Sequence, residues 1–212
     1  MAKNLEKQTK EKKMSQLVLQ ITNGANDGYV TDIEYSPSFT SAIVGFGNNS
    51  WYLWNNVTIP KGAIIVSAII TFKAFSNRSV NTCNTNMYFN NEDSAISPTS
   101  VATYNAKTVT SAIAWTIPAW VINTSYDSPD ISTILQTIIN RSNWVSGNSL
   151  MVLHKNNGSS TNAVRDAISY ENSPSNSAIL TINYIPPKSN YLHFITDKIK
   201  HYSNEILTRH YE

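Results

Sequence analysis

Short runs of alternating apolar and polar residues recur from residue 16 to residue 185, with turn-forming residues between them. The runs are QLVLQIT (16–22), AIVGF (42–46), SWYLW (50–54), IIVSAIITFKAF (64–75), NMYFN (86–90), TVTSAIAW (108–115), SLMVLHK (149–155) and SAILTINYI (177–185). They are rich in Val, Ile, Thr and aromatic side chains, which suit a pleated, half-buried surface. Turn chemistry sits at Asn23-Gly24, Asp27-Gly28, Gly47-Asn48-Asn49, Pro60-Lys61-Gly62 and Asn157-Gly158. Many short strands joined by such turns predict an all-β sandwich or barrel.

Two segments change period. Ile131, Ile134, Leu135, Ile138 and Ile139 fall at i, i+3, i+4, i+7 and i+8, one face of a helix. Ser128 with Pro129 after it, or Asp130, supplies the start signal, so a short helix capping one end of the sandwich is expected. Near the C-terminus, Leu192, Ile195, Ile199, Tyr202 and Ile206 are spaced 3, 4, 3, 4, the pattern of a coiled-coil seam. About two heptads are too few for a coiled coil on its own. The seam is therefore expected against another copy, another protein, or its own sandwich. Pro186-Pro187 marks the boundary and stiffens the connection.

Charge adds a third region. Residues 1–15 hold five lysines against two glutamates, a net +3, within a chain whose total is +2. That stretch reads as a solvated arm or as an anchor onto an acidic partner surface. The chain divides into the arm (1–15), the sandwich (16–185) and the amphipathic C-terminal helix (186–212). The near-neutral remainder has no basic stripe interleaved with aromatics, so no nucleic-acid partner is expected. No window approaches 18 consecutive apolar residues, so no membrane span is expected. No apolar stretch follows the basic start, so an ordinary secretion signal is not expected either. Charged residues are 14% of the chain, below the roughly 25% of an average protein. Asn, Ser and Thr fill the deficit, as on many proteins that work outside cells.

The chemistry-bearing residues are few. His154 is the one histidine between residues 16 and 185, and Cys83 is the one cysteine. There is no HExxH, GxSxG, CxxC or phosphate-cradling glycine loop, and the expectation is a protein without enzymatic activity. Asn26, Asp27 and Asp32 offer oxygens for a structural Ca²⁺, with turn capping as the plainer reading; no other cofactor is expected.

Several motifs stand in order: NDGYVTD, the strand ending in Trp54, NVTIPKGAIIVSAIITFKAF, AIAWTIPAW, YDSPDISTILQTIINRSNWVSGNSLMVLHK and RDAISYENSPSNSAILTINY. Over about residues 25–185 they resemble the DNRLRE-type domain family, related to disaggregatase repeats and alginate-binding carbohydrate-binding modules. The resemblance implies a jelly-roll β-sandwich, usually a non-catalytic module of secreted, cell-surface or phage structural proteins. Leu53 stands where family members often carry an arginine before the IPxG turn. The resemblance turns Trp54 to the core, and alternation then leaves Trp51 as the aromatic expected at the surface, a platform for a sugar ring. Arg165, Asp166 and Tyr170 fall in the family's R-x-x-x-SY strand, as a buried Arg–Asp pair or as ligand contacts.

Together these readings give a non-catalytic decoration, fibre or cement protein on a virion surface. Its terminal segments would join it to other virion proteins or to copies of itself. The alternative is an extracellular, stand-alone carbohydrate-binding module for an acidic polysaccharide such as alginate, with Trp51, Leu53, Arg165 and Tyr170 as candidate ligand residues.

Overall fold

The computed structural model describes residues 13–78 and 81–187. The strands are β1 (Ser15–Gln20), β2 (Asp27–Val30), β3 (Tyr35–Ser36), β4 (Ser41–Gly45), β5 (Asn49–Trp54), β6 (Ile64–Lys73), β7 (Cys83–Phe89), β8 (Ile113–Ile117), β9 (Ser125–Asp127), β10 (Leu150–Asn156), β11 (Val164–Ile168) and β12 (Ile179–Ile185). Two helices, α1 (Val101–Asn105) and α2 (Ser132–Ile139), interrupt them. The C-terminal seam of Leu192, Ile195, Ile199, Tyr202 and Ile206 lies outside the described residues, as does nearly all of the N-terminal arm.

All strand pairs are antiparallel. One sheet has the order β1-β12-β6-β9, a second the order β3-β2-β5-β10-β7-β8, and β11-β4 form a short pair. The Ala74–Ala167 bridge and the Phe75 N–H donating to the Asp166 carbonyl (2.9 Å) tie β11 to the end of β6. The result is an all-β, sandwich-like body. Its main core joins Ile65, Ala68, Ile70, Phe72, Leu180 and Ile182 of the four-stranded sheet to Tyr52, Trp54, Met87, Phe89, Trp115 and Val152 of the six-stranded one. Strand periodicity of two makes this possible: every second side chain of β7, and of β6 from Ala68 onward, points inward, with a register shift between Ile65 and Ala68.

The helix expected over 131–139 forms, and all five apolar residues of its face are buried. It lies along β6. There the Asp130 carboxylate accepts from the backbone N–H of Ala68 (3.0 Å) and of Ser132 (2.8 Å), satisfying one free N–H of the helix's first turn and one of the strand edge together. Ser128 Oγ accepts from Ile70 N, and Gln136 Oε1 from Ile65 N. Side chains thus pair the β6 edge where β9 does not reach, which closes it to intermolecular pairing.

Two local expectations need correcting. Asp27-Gly28 is part of β2 rather than a turn, because Gly28 passes beneath an indole: a Cβ there would lie 2.6 Å from Trp51 Cη2 and 2.4 Å from the Ser36 carbonyl. The run over 108–115 becomes a strand only from Ile113.

Candidate functional site

The outer face of the six-stranded sheet carries the residues that matter most. Alternation along β5 turns Tyr52 and Trp54 into the main core and Trp51 and Leu53 to the other face. That face is not open. The segment 90–110, with α1, lies across it, and Val30, Trp51, Leu53, Ala95, Tyr104, Met151 and Leu153 form a second apolar cluster beneath. Trp51 is 0% exposed. Tyr35 stacks on its ring at 5.1 Å and 8°, and Tyr104 packs at 6.3 Å. The expected surface platform at Trp51 is therefore a buried wall, and Leu53 is buried with it.

Arg165 and Asp166 do not pair. Adjacent strand residues face opposite ways, and β11 sends Arg165 to the side of Val44 and Ala167. Arg165 is buried, donating to the carbonyls of Pro118 (2.6 Å), Val164 (2.9 Å), Ile117 (3.3 Å) and Asn81 (3.4 Å). It stitches the loops after β8 and before β7 to β11, and burial holds its pKa below the usual arginine range. Asp166 instead receives Ser76 Oγ (2.8 Å) and the partly exposed Arg78 guanidinium (3.1 Å). Neither side chain is left over for a ligand.

Asp27 and Tyr170 do come together. The Tyr170 backbone N–H donates to Asp27 Oδ2 at 3.0 Å, while Oδ1 is buried without a hydrogen-bond partner. Burial pushes the Asp27 carboxyl up to about 7; the Tyr170 N–H opposes the shift, and nearby Glu171 adds to it. Asn26 beside it is also buried, its Oδ1 taking the Ser97 hydroxyl at 3.2 Å. Asp32 lies exposed beyond the far end of β2, about 16 Å along extended chain from Asp27 at roughly 3.3 Å per residue. The three do not converge as one Ca²⁺ ligand set. Among the described residues, no three His, Cys, Asp or Glu side chains do.

The remaining reactive groups belong to the core. His154 Nε2 shares a hydrogen bond with Thr85 Oγ1 (2.7 Å) and its ring stacks on Trp115 at 5.6 Å. Burial pushes it down to about 3, so the imidazole is neutral at physiological pH. Burial raises the Cys83 thiol as well.

One cluster is open, where the cover over the six-stranded sheet stops. On β7 the outward positions are Asn84, Asn86 and Tyr88, opposite the buried Cys83, Thr85, Met87 and Phe89. Thr116 Oγ1 donates to Asn84 Oδ1 (2.9 Å), and Asn86 Nδ2 donates to the Tyr88 hydroxyl (3.2 Å). Lys155 on neighbouring β10 sits between two tyrosines, with Nζ 5.8 Å from the Tyr88 centroid and 5.4 Å from that of Tyr104. Burial lowers its pKa. It makes no ion pair or hydrogen bond among the described residues, whereas Lys107 pairs with Glu92 and Arg141 with Asp93. A half-buried, unpaired ammonium beside side-chain amides suits a carboxylate carried on a hydroxyl-rich chain. Sequence reading did not single out these residues. The signal was present in C-N-T-N-M-Y-F, whose alternation puts the two Asn and the Tyr on one face.

No protein-family model matches the chain, and no curated protein matches it.

Proposed function

We propose that this chain is a non-catalytic structural and binding protein of a virion surface, a decoration, fibre or cement protein mounted through its two terminal segments. One observation carries the reading. β1 and β12 are neighbours with Ser15 opposite Tyr184, so the start of β1 and the end of β12 lie side by side at one end of one sheet. Pro187 passes close to Gly62, which places that end beside the turn after β5. A basic arm and an amphipathic segment that emerge together form a base, and the opposite end of the body is left to face outward. The conversion of Arg165, Asp166, His154 and Cys83 into structural groups favours a scaffold. The resemblance of its motifs to those of DNRLRE-type domains supports a jelly-roll connectivity and a surface setting in this reading. The solution mass of the full chain beside one ending at Ile185 tests it: assembly is expected in the first and a folded monomer in the second. A monomeric full chain would count against mounting through self-association.

A second reading, binding of an acidic polysaccharide such as alginate, is favoured by the Lys155–Tyr88–Asn86 cluster. Lys155→Ala is then expected to weaken binding to uronate oligomers at least tenfold, about 1.4 kcal/mol, without lowering the melting temperature. Unchanged binding in a titration would remove Lys155 from the site, and no binding by the unaltered chain would remove the reading.

A further inference from the structure

We infer that Asn157 is a self-modifying position: its side-chain amide is lost to attack by the Gly158 backbone nitrogen, and the carboxylate so formed becomes the partner that Lys155 lacks. The modification stands on its own chemistry. Its effect on binding rests on the second reading above, in which Lys155 receives an acidic sugar.

The turn after β10 leaves this reaction open. In an Asn-Gly step the glycine nitrogen bonds to Asn Cγ, the Cγ–Nδ2 bond breaks, and ammonia leaves a five-membered succinimide. Water then opens the ring at either carbonyl to give aspartate or isoaspartate, so water is the one co-reactant. The attack needs a free backbone N–H, an unhindered glycine and an asparagine side chain not held elsewhere. Among the described residues the Gly158 N–H donates to nothing, whereas the Asn157 N–H donates to the Asn84 carbonyl (2.8 Å) and the Ser159 N–H to Asn156 Oδ1 (3.0 Å). Gly158 sits at φ +72° with nothing within 4 Å of where a Cβ would stand, so the backbone there is uncrowded. Asn157 is exposed, and its side chain's hydrogen bond, Nδ2 to Asn86 Oδ1, is long at 3.4 Å. The chain's other Asn-Gly pair differs on two counts. Asn23 Oδ1 is held by the Ala25 N–H at 2.9 Å, and Gly24 is packed against Glu171, whose Oε1 lies 1.5 Å from the place of a Cβ.

Register decides what the new carboxylate meets. Asn86 stands directly opposite Lys155 across β7 and β10, and the Asn157 side chain reaches that same Asn86. Asn157 and Lys155 therefore flank one amide, and an acid at 157 puts a negative charge within reach of the lysine's flexible stem. Lys155 is half-buried between the Tyr88 and Tyr104 rings with no ion pair among the described residues. Burial lowers its pKa, and a carboxylate beside it acts the other way by favouring the ammonium. Once paired, the ammonium is no longer an unmatched cation, so an acidic sugar gains less from it. The site is thus expected to lose affinity for such a ligand as the protein ages.

The test ages the full chain at mildly alkaline pH and maps its peptides by mass spectrometry. Asn157→Gln, whose longer side chain does not close a five-membered ring, is the control. Asn157 is expected to turn into mixed aspartate and isoaspartate roughly tenfold faster than Asn23. Equal rates at the two positions, or an intact Asn157, would overturn the inference. Asn157→Asp carries the product from the start, and competitive acetylation of the lysines reads the pairing. Lys155 in that variant is expected to react roughly threefold more slowly than in the parent, with Lys61 and Lys73 unchanged. An unchanged Lys155 would mean that the carboxylate does not reach it, and the pairing fails. Titration with uronate oligomers separates the binding reading: a parent that binds and an Asn157→Asp variant that binds more weakly support the two together. Equal binding by both overturns the effect on the site, and a parent that does not bind removes the glycan reading while the modification stands on its peptide map.

Discussion

Trp51→Ala is expected to cost about 3–5 kcal/mol of folding stability, the range for emptying a fully buried Trp site. The indole fills the centre of the smaller cluster, with Tyr35 stacked on one side, Tyr104 beside it and the Gly28 backbone against its edge. Its Nε1–H reaches the Ala25 carbonyl only at 3.5 Å, so most of the loss is apolar burial and packing. Trp51→Phe should recover a large part of it. Denaturant melts of the two variants check this. A Trp51→Ala protein as stable as the parent but defective in glycan binding would return Trp51 to the role of a surface platform.

Asp27→Asn is expected to stabilise the protein at alkaline pH. The carboxyl titrates near 4 when unfolded and at about 7 when folded. A group whose pKa is raised by folding adds full stability below its unfolded pKa, and that stability is lost as pH rises through 7. At about 1.4 kcal/mol per pH unit between about 4 and about 7, the penalty above pH 7 is on the order of 4 kcal/mol. Asparagine keeps an oxygen for the Tyr170 N–H and carries no charge to bury. The variant should gain up to that amount at pH 8.5 and almost nothing at pH 4. Melts at the two pH values decide: equal shifts at both would mean the carboxyl is not the titrating group, and a variant less stable at pH 8.5 would mean that the ionised form is favoured in the fold.

Alternation read the core well because it is a local signal. The inward residues of β7 and β12, and the single apolar face of α2, follow from spacing alone. What alternation cannot say is whether the outward face is covered. Trp51 and Leu53 were placed on the correct face, yet a polar segment about 40–50 residues away in sequence, NEDSAISPTSVATYNAK (91–107), lies over them and contributes Ala95 and Tyr104. Such a cover has no periodicity, and α1 within it is a single turn held by the Ser100–Thr103 capping box. β2, β3 and β9 are only two to four residues long, too short for a pattern. The Arg165–Asp166 pairing, by contrast, was excluded by the same alternation that located the strand. Lys155 was hidden for a different reason: its lack of a partner is a fact about neighbours, not about sequence.

The most direct measurement is the solution mass of the full chain and of one trimmed to residues 15–185. If the terminal segments carry the association, the full chain is found at a multiple of 23.6 kDa and the trimmed body is a folded monomer. A trimmed body that keeps the full chain's assembly state would contradict this, because the sandwich would then associate through its own surface.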